Sequence, residues 1–148
     1  MNVVKRDGTV EQVKFDKISS RIRKLTYALN EDYVDYFQVA QKVISGLYDG
    51  VTSTELDQLS AETAASMITT HPDYGKLAAR IIITSLYKDV AKEFSVVAKQ
   101  LYQYINPVNN EPAGLISDDV YAVIEKHATE LNAMIVHDRD FNFDYFGY

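Results

Sequence analysis

Cysteine is absent from all 148 residues. That excludes disulfides, zinc ribbons, iron–sulfur ligation and thiol catalysis from this chain. The missing disulfide framework fits a reducing cytosol, so a cytoplasmic location is expected. Long apolar runs are absent too. No stretch approaches the length of a membrane-spanning helix, and the opening MNVVKRDGTVEQV lacks the continuous apolar core of a secretory signal. No membrane partner is expected. Histidine is scarce: His71, His127 and His137 are the three, and none has a second ligand at metal-binding spacing. His71, before Pro72, reads as a helix-junction residue rather than a catalyst. No P-loop, HExxH pattern or nucleophile triad occurs. The paired acids Asp118 and Asp119 fall at a predicted helix start, where the helix dipole favours carboxylates. Catalysis has no visible carrier.

What remains is an ordinary globular composition, 47% hydrophobic and 24% charged. The length suits one domain plus a small annex. The net charge of −6 argues against a nucleic-acid partner. Charge is unevenly spread: residues 1–24 hold seven Lys and Arg against three Asp and Glu, net +4, which leaves −10 for the rest. A basic end on an acidic chain can attract a small anion locally; on charge alone it reads as a solvated basic face.

Residues 2–6 and 9–15 are short β-rich runs separated by Asp7-Gly8. That spacing predicts a hairpin with a type I′ turn, which needs positive φ at both central positions. Asp16 then reads as the N-cap of a helix with Ile18, Ile22, Leu25 and Leu29 on one face. A second helix is predicted from Asp35, with Gln38 placed for a capping box, an apolar stripe of Phe37, Ala40, Val43, Ile44 and Leu47, and Gly50 as its stop. Thr52 or Ser53 caps a third helix, with Glu55 three residues after Thr52; Leu56, Leu59, Ala64 and Met67 supply its buried face. His71-Pro72-Asp73 breaks that helix and opens a fourth capped by Asp73. Leu77, Ile81 and Leu86 line it, with Ile82, Ile83 and Val90 broadening the stripe. The pattern predicts a small sheet lying over a helix bundle. Residues 95–105 read as helical through Val97, Leu101 and Ile105, residues 106–114 as a loop, and Ser117 caps a helix to about Val136 that buries Val120, Val123, Ile124 and Leu131. The tail HDRDFNFDYFGY carries five aromatics and is expected to dock on something.

Only a binding site has a possible carrier. Lys5 and Arg6 sit on a strand beside a tight turn, where a rigid backbone can hold them toward a polyphosphate. Asp16 and Lys17 stand where the hairpin meets the first helix. Ser53 and Asp57, four apart, share a helix face and form a hydroxyl–carboxylate pair suited to a sugar or an amino group. Each also has a plain structural explanation: surface strand charges, a cap, a first-turn acid. On spacing alone that explanation stands ahead of a pocket.

The string VVKRDGTVEQVKFDKISSRI resembles the opening of the ATP-cone domain, which regulates many ribonucleotide reductases and also occurs in a bacterial repressor of their genes. GLYDGVTSTELDQLSAETAA and HPDYGKLAARI resemble its later segments. FSVVAKQLYQYINP and RDFNFDYFGY resemble the region joining the cone to the catalytic barrel in class I large subunits of eukaryotic type. The repressor is disfavoured, because its zinc ribbon needs cysteines.

The resemblance implies a mainly α (α+β) fold, a small β-hairpin or sheet capping a four-helix bundle. It implies a cone over 1–92 and a helical linker or start of the catalytic region over 93–148. It implies ATP as activator or dATP as inhibitor, with Mg²⁺ on the phosphates. The implied binding residues are Lys5 and Arg6 for phosphate, the segment Glu11, Gln12, Val13, Lys14, Phe15, Asp16 and Lys17 wrapping the nucleotide, and Ser53, Asp57 and Lys88. Implied partners are adenine nucleotides, the rest of the large subunit, the small radical-generating subunit, and further copies through cone surfaces; the basic, partly apolar run RIRKLTYALN, suited to an acidic partner, places that surface on helices one and two. The sequence departs mildly from the family at Ser53 (often Thr), Gly75 (more usually Ala) and Tyr87 (commonly His). Family members run on far beyond the equivalent of Tyr148, and their catalytic cysteines are absent here, so no reductase activity is expected of this chain alone. A helical interaction module without a nucleotide is the alternative.

Overall fold

The computed structural model describes residues 1–148. The chain is mainly helical with a small sheet and divides into two compact units, 1–88 with 138–148, and 89–137. No helix is long and apolar enough to cross a membrane.

The first unit begins with the hairpin. Strands β1 (Asn2–Val4) and β2 (Val10–Gln12) pair antiparallel with Val3 opposite Glu11. The connection is longer than a two-residue turn. Lys5 N–H donates to Thr9 O at 2.8 Å and Gly8 N–H to Lys5 O at 2.9 Å. Only Gly8 takes a positive φ, +82°, so the expected type I′ turn is replaced by a three-residue loop with glycine at its left-handed position. Asp7 stays outside the left-handed region because its carboxylate accepts from both the backbone and the hydroxyl of Thr9, at 2.9 and 2.6 Å.

A third strand, β3 (Val51–Thr52), lies parallel to β1, with Val4 beside Thr52, giving the order β2-β1-β3. The sequence does not predict this strand, since two residues carry no periodic signal. Gly50, expected to stop the second helix, sits instead in the turn entering β3.

Helix α1 (Phe15–Lys24) is capped by the backbone at Lys14, without a side-chain bond. Asp16 is therefore not its N-cap; it lies in the first turn, where a carboxylate still meets the helix dipole favourably. The helix also stops well before Leu29. Arg80 Nη1 donates to the carbonyls of Leu25 and Tyr27 at 2.8 and 2.6 Å, and its guanidinium lies 3.9 Å from the Tyr27 ring centre. These bonds satisfy carbonyls that a helix end leaves open. Leu29 remains buried beyond that end.

Helix α2 (Tyr36–Ser45) is capped by Asp35, which accepts from Phe37 N–H at 2.8 Å. The expected box with Gln38 does not form, because the Asp35 N–H donates to the Tyr74 hydroxyl at 3.0 Å. Phe37 is exposed rather than buried; Val39, Ala40 and Val43 face inward. Helix α3 (Ser53–Ser66) has the full capping box of Thr52 and Glu55. Helix α4 (Asp73–Leu86) starts after Pro72. Asp73 does not cap it; its carboxylate accepts from Asn30 N–H at 3.0 Å and pairs with Lys76 at 2.8 Å. Leu86 and Val90 are exposed, so the buried stripe of α4 ends at Ile83 and Ser85.

The core lies among α1–α4, with Tyr74, Ile22, Leu77 and Ile81 its largest fully enclosed side chains. The tail, with a 3₁₀ turn at His137–Asn142, returns to this unit: Phe141 and Tyr145 pack on the core, while Phe143, Phe146 and Tyr148 stay exposed.

The second unit holds α5 (Phe94–Tyr102), an isolated bridge between Ile105 and Pro112, α6 (Asp118–Lys126) and α7 (Ala128–Met134). The helix expected from Ser117 to Val136 is thus broken at His127. Val120 and Val123 are exposed, and of the expected face only Ile124 is buried. Gly114 is required where it stands, since a Cβ there would lie 2.6 Å from Tyr102 O.

Candidate functional site

The register of the sheet builds the site. Val4 lies beside Thr52, so Arg6, two residues past Val4, reaches the first turn of α3. Its Nη1 donates to Ser53 Oγ at 3.4 Å, and its Nη2 donates to Ser85 Oγ at 2.8 Å and stands 3.5 Å from Asp57 Oδ2. Asp57 is the hub. Arg21 Nε on α1 donates to Oδ1 at 2.6 Å; Lys88 Nζ and Ser85 Oγ donate to Oδ2 at 2.8 and 3.0 Å. Residues from the hairpin, α1, α3 and the end of α4 thus meet on one carboxylate that is only 4% exposed.

Burial is the largest single influence on the Asp57 carboxyl and acts to raise its pKa. The Lys88 hydrogen bond and the charges of Arg21 and Lys88 outweigh it and hold the group below the usual carboxylate range. Three cations, Arg6, Arg21 and Lys88, thus converge on one carboxylate. A second cluster stands beside it: Lys5 and Lys17 both pair with Glu11, at 2.5 and 3.5 Å, and the Lys5 bond lowers the Glu11 pKa.

Two clefts open along α1. The smaller, about 150 Å³, has an apolar floor of Ile18, Ile22, Leu56 and Ile81 with Ser53, Asp57 and Lys88 at its polar end. The larger, about 580 Å³, is bordered by Asp16, Ser20, Lys24 and Thr84. Lys17 and Arg21 border both. Apolar walls with a few convergent polar groups are the usual make-up of a small-molecule site.

Of the residues singled out in the sequence, the structure joins Arg6, Ser53, Asp57 and Lys88 in one network, and Lys5, Glu11 and Lys17 in another. Asp16 borders the larger cleft. Gln12, Lys14 and Phe15 are exposed and border neither cleft, and Val13 packs on the core. The Ser53–Asp57 pair shares a face as expected, but both Asp57 oxygens are engaged by protein donors. Sequence reasoning misses Arg21 and Ser85. Arg21 is four residues past Lys17, a same-face spacing. Ser85, with Thr84, interrupts the apolar run of α4 with hydroxyls.

Residues 1–89 match the family described as ATP cone domain. The chain belongs to the ATP cone domain family. The cone here is joined to a segment that its relatives share. The whole chain is 52% identical to the ribonucleoside-diphosphate reductase large chain of Schizosaccharomyces pombe. It is 57% identical to the large subunit of Caenorhabditis elegans over 99% of its length, and 50% identical to that of Variola virus over its full length. The chain spans 18–19% of the length of these relatives. The buried cluster, the hairpin and both clefts lie within the cone and the tail that returns to it.

Proposed function

We propose that this chain is the nucleotide-sensing regulatory part of a ribonucleoside-diphosphate reductase large subunit. Its cone, residues 1–92, takes ATP as activator or dATP as inhibitor, and residues 93–148 lead into the catalytic region. The observation that carries this reading is the Asp57-centred meeting of Arg6, Arg21 and Lys88 beside an apolar cleft. An adenine base suits the apolar floor, and phosphates suit the converging cations. Lys5, the segment from Glu11 to Lys17, and Ser53 complete the proposed lining. The Ser53 hydroxyl, which accepts only the long Arg6 contact, keeps its proton for a ligand oxygen. Mg²⁺ is assigned to the phosphates and water, the usual ligands of this ion beside a nucleotide.

ATP and dATP differ by one ribose hydroxyl, which a hydrogen-bonding site can discriminate by about 1–3 kcal/mol. Regulation further requires that the two ligands favour different assemblies. We place that assembly surface on α1 and α2, with the remainder of the large subunit and the small radical-generating subunit as further partners. In RIRKLTYALN, Ile22 and Leu29 are buried and Arg21 turns to Asp57, leaving Arg23, Lys24 and Tyr27 outward.

Isothermal titration calorimetry with dATP, ATP and GTP in magnesium tests the reading. Both adenine nucleotides bind, dATP more tightly, and GTP binds weakly. Absence of binding by all three would overturn it in favour of a helical interaction module.

A further inference from the structure

Asp57 is enclosed by positive side chains. Arg6, Arg21 and Lys88 all lie within ion-pair distance of it, and Lys17, paired with Glu11, stands nearby on α1. Such an arrangement is stable in water but leaves room for a stronger anion.

Arg21 is the best placed of the three to meet one. Its Nε is spent on Asp57 and one N–H of Nη2 on Thr84 Oγ1, at 3.3 Å. Both N–H groups of Nη1 and the second of Nη2 have no protein acceptor. The side chain is about one-third exposed, 31%, while Asp57 is 5%, so the guanidinium is reachable and its counter-ion is not. It also stands where the two clefts meet. On the side of the larger cleft, Lys17, Ser20, Arg21 and Lys24 fall at helical spacing along one face of α1, with one carboxylate, Asp16, at the border. A planar guanidinium with free donors, in a row of ammonium groups and a hydroxyl, matches a chain of phosphates.

We propose that Arg21 is a polyphosphate-binding residue of this site and that Asp57 is its resident counter-anion, holding Arg21 together with Arg6 and Lys88 until a ligand supplies phosphate. The proposal rests on the nucleotide site argued above and adds to it a ligand-contacting residue and a direction. Phosphate competes with Asp57 for the same donors, so removing Arg21 and removing the Asp57 charge have opposite effects. The larger cleft along α1 is where the phosphate chain runs, past Ser20 and Lys24.

Calorimetry of the full chain with inorganic tripolyphosphate, which isolates the phosphate contribution, provides the test. Arg21→Gln weakens tripolyphosphate binding by about tenfold or more, the loss of a charge-assisted hydrogen bond. Asp57→Asn, which keeps the shape and removes the charge, tightens it several-fold. Unchanged affinity in folded Arg21→Gln, or weaker affinity in folded Asp57→Asn, overturns the proposal. Should Arg21→Gln not fold, Arg21→Lys keeps a charge on Asp57 and loses the planar fork; affinity equal to the parent chain counts against the proposal in the same way. The two readings separate cleanly. If the parent chain binds adenine nucleotides while Arg21→Gln binds them equally well, the nucleotide site stands and the role of Arg21 falls. If the parent chain binds neither tripolyphosphate nor nucleotide, both fall.

Discussion

The two compact units are built on different physics. Of the twenty apolar side chains that are buried, only Ala98 and Ile124 belong to residues 89–137. The unit of the cone packs α1–α4 around Tyr74, Leu77 and Ile81. The other is held largely by polar and aromatic contacts: Asn132 bonds both the backbone and the hydroxyl of Ser95, at 3.0 and 2.9 Å, Tyr102 stacks on Tyr121 with ring centres 4.1 Å apart, and the Tyr102 hydroxyl donates to Asp118 at 3.0 Å. Polar contacts in water contribute little net free energy each, whereas burial scales with apolar area. Stability should therefore reside in the cone, the unit that carries the Asp57 cluster.

The largest expected effect tests that statement at its strongest point. Tyr74 is 1% exposed, and its hydroxyl accepts the N–H of the α2 cap. Tyr74→Ala removes a large buried ring and orphans that N–H. It should cost about 4 kcal/mol, read as a lowered urea midpoint for the whole cone. A loss below about 1 kcal/mol would show that the cone is not held by this core.

Tyr87→Phe sharpens the comparison at the place where the tail rejoins the cone. The Tyr87 hydroxyl donates to Asp140 at 2.5 Å, and its ring meets Phe141 edge-on at 6.2 Å. Burial and the Asp140 bond push its pKa up to about 12 from the usual 10. A raised acid pKa means that folding favours the protonated form, so this stabilisation is complete below pH 10 and is lost as pH rises toward about 12. Tyr87→Phe should cost about 1 kcal/mol at neutral pH. The gap between the two proteins, tracked by thermal melting, should narrow or reverse near pH 11, since phenylalanine cannot ionise. A gap that stays constant with pH would mean the hydroxyl does not hold the tail.

How much of this could be read in advance depends on the range of the interactions. Local devices were legible: the Thr52–Glu55 box, the Asp35 cap and the turn signal of Asp7-Gly8 all act within three residues. So was the mainly helical fold over a small sheet, because the stripes through Ile18–Ile22 and Leu77–Ile81 repeat at helical spacing. Features set by distant partners were not. Arg80, fifty-five residues from Leu25, ends α1 where the apolar pattern would continue to Leu29. The Tyr74 hydroxyl takes the place of Gln38 at α2, and β1 recruits β3, which alone has no pattern. At the site, Arg6, Ser53 and Asp57 could be singled out from residue type and spacing and Lys88 through family resemblance, but that Asp57 would be enclosed by cations, with Arg21 among them, depends on four elements meeting in space.

The smallest expected effect lies in the second unit, and a small value is what the comparison requires. Helical spacing places Val120, Val123 and Ile124 on an apolar face of α6, yet Val123 is 59% exposed. A side chain that already meets water has little transfer free energy to lose, so Val123→Ser should change stability by less than about 0.5 kcal/mol. A measured loss above about 1 kcal/mol would show that this face is covered in solution, and the contrast between a packed cone and a sparsely packed annex would then break at α6. Equal melting temperatures for Val123→Ser and the parent chain, beside the large loss for Tyr74→Ala, would place the folding free energy in the unit that carries the Asp57 cluster.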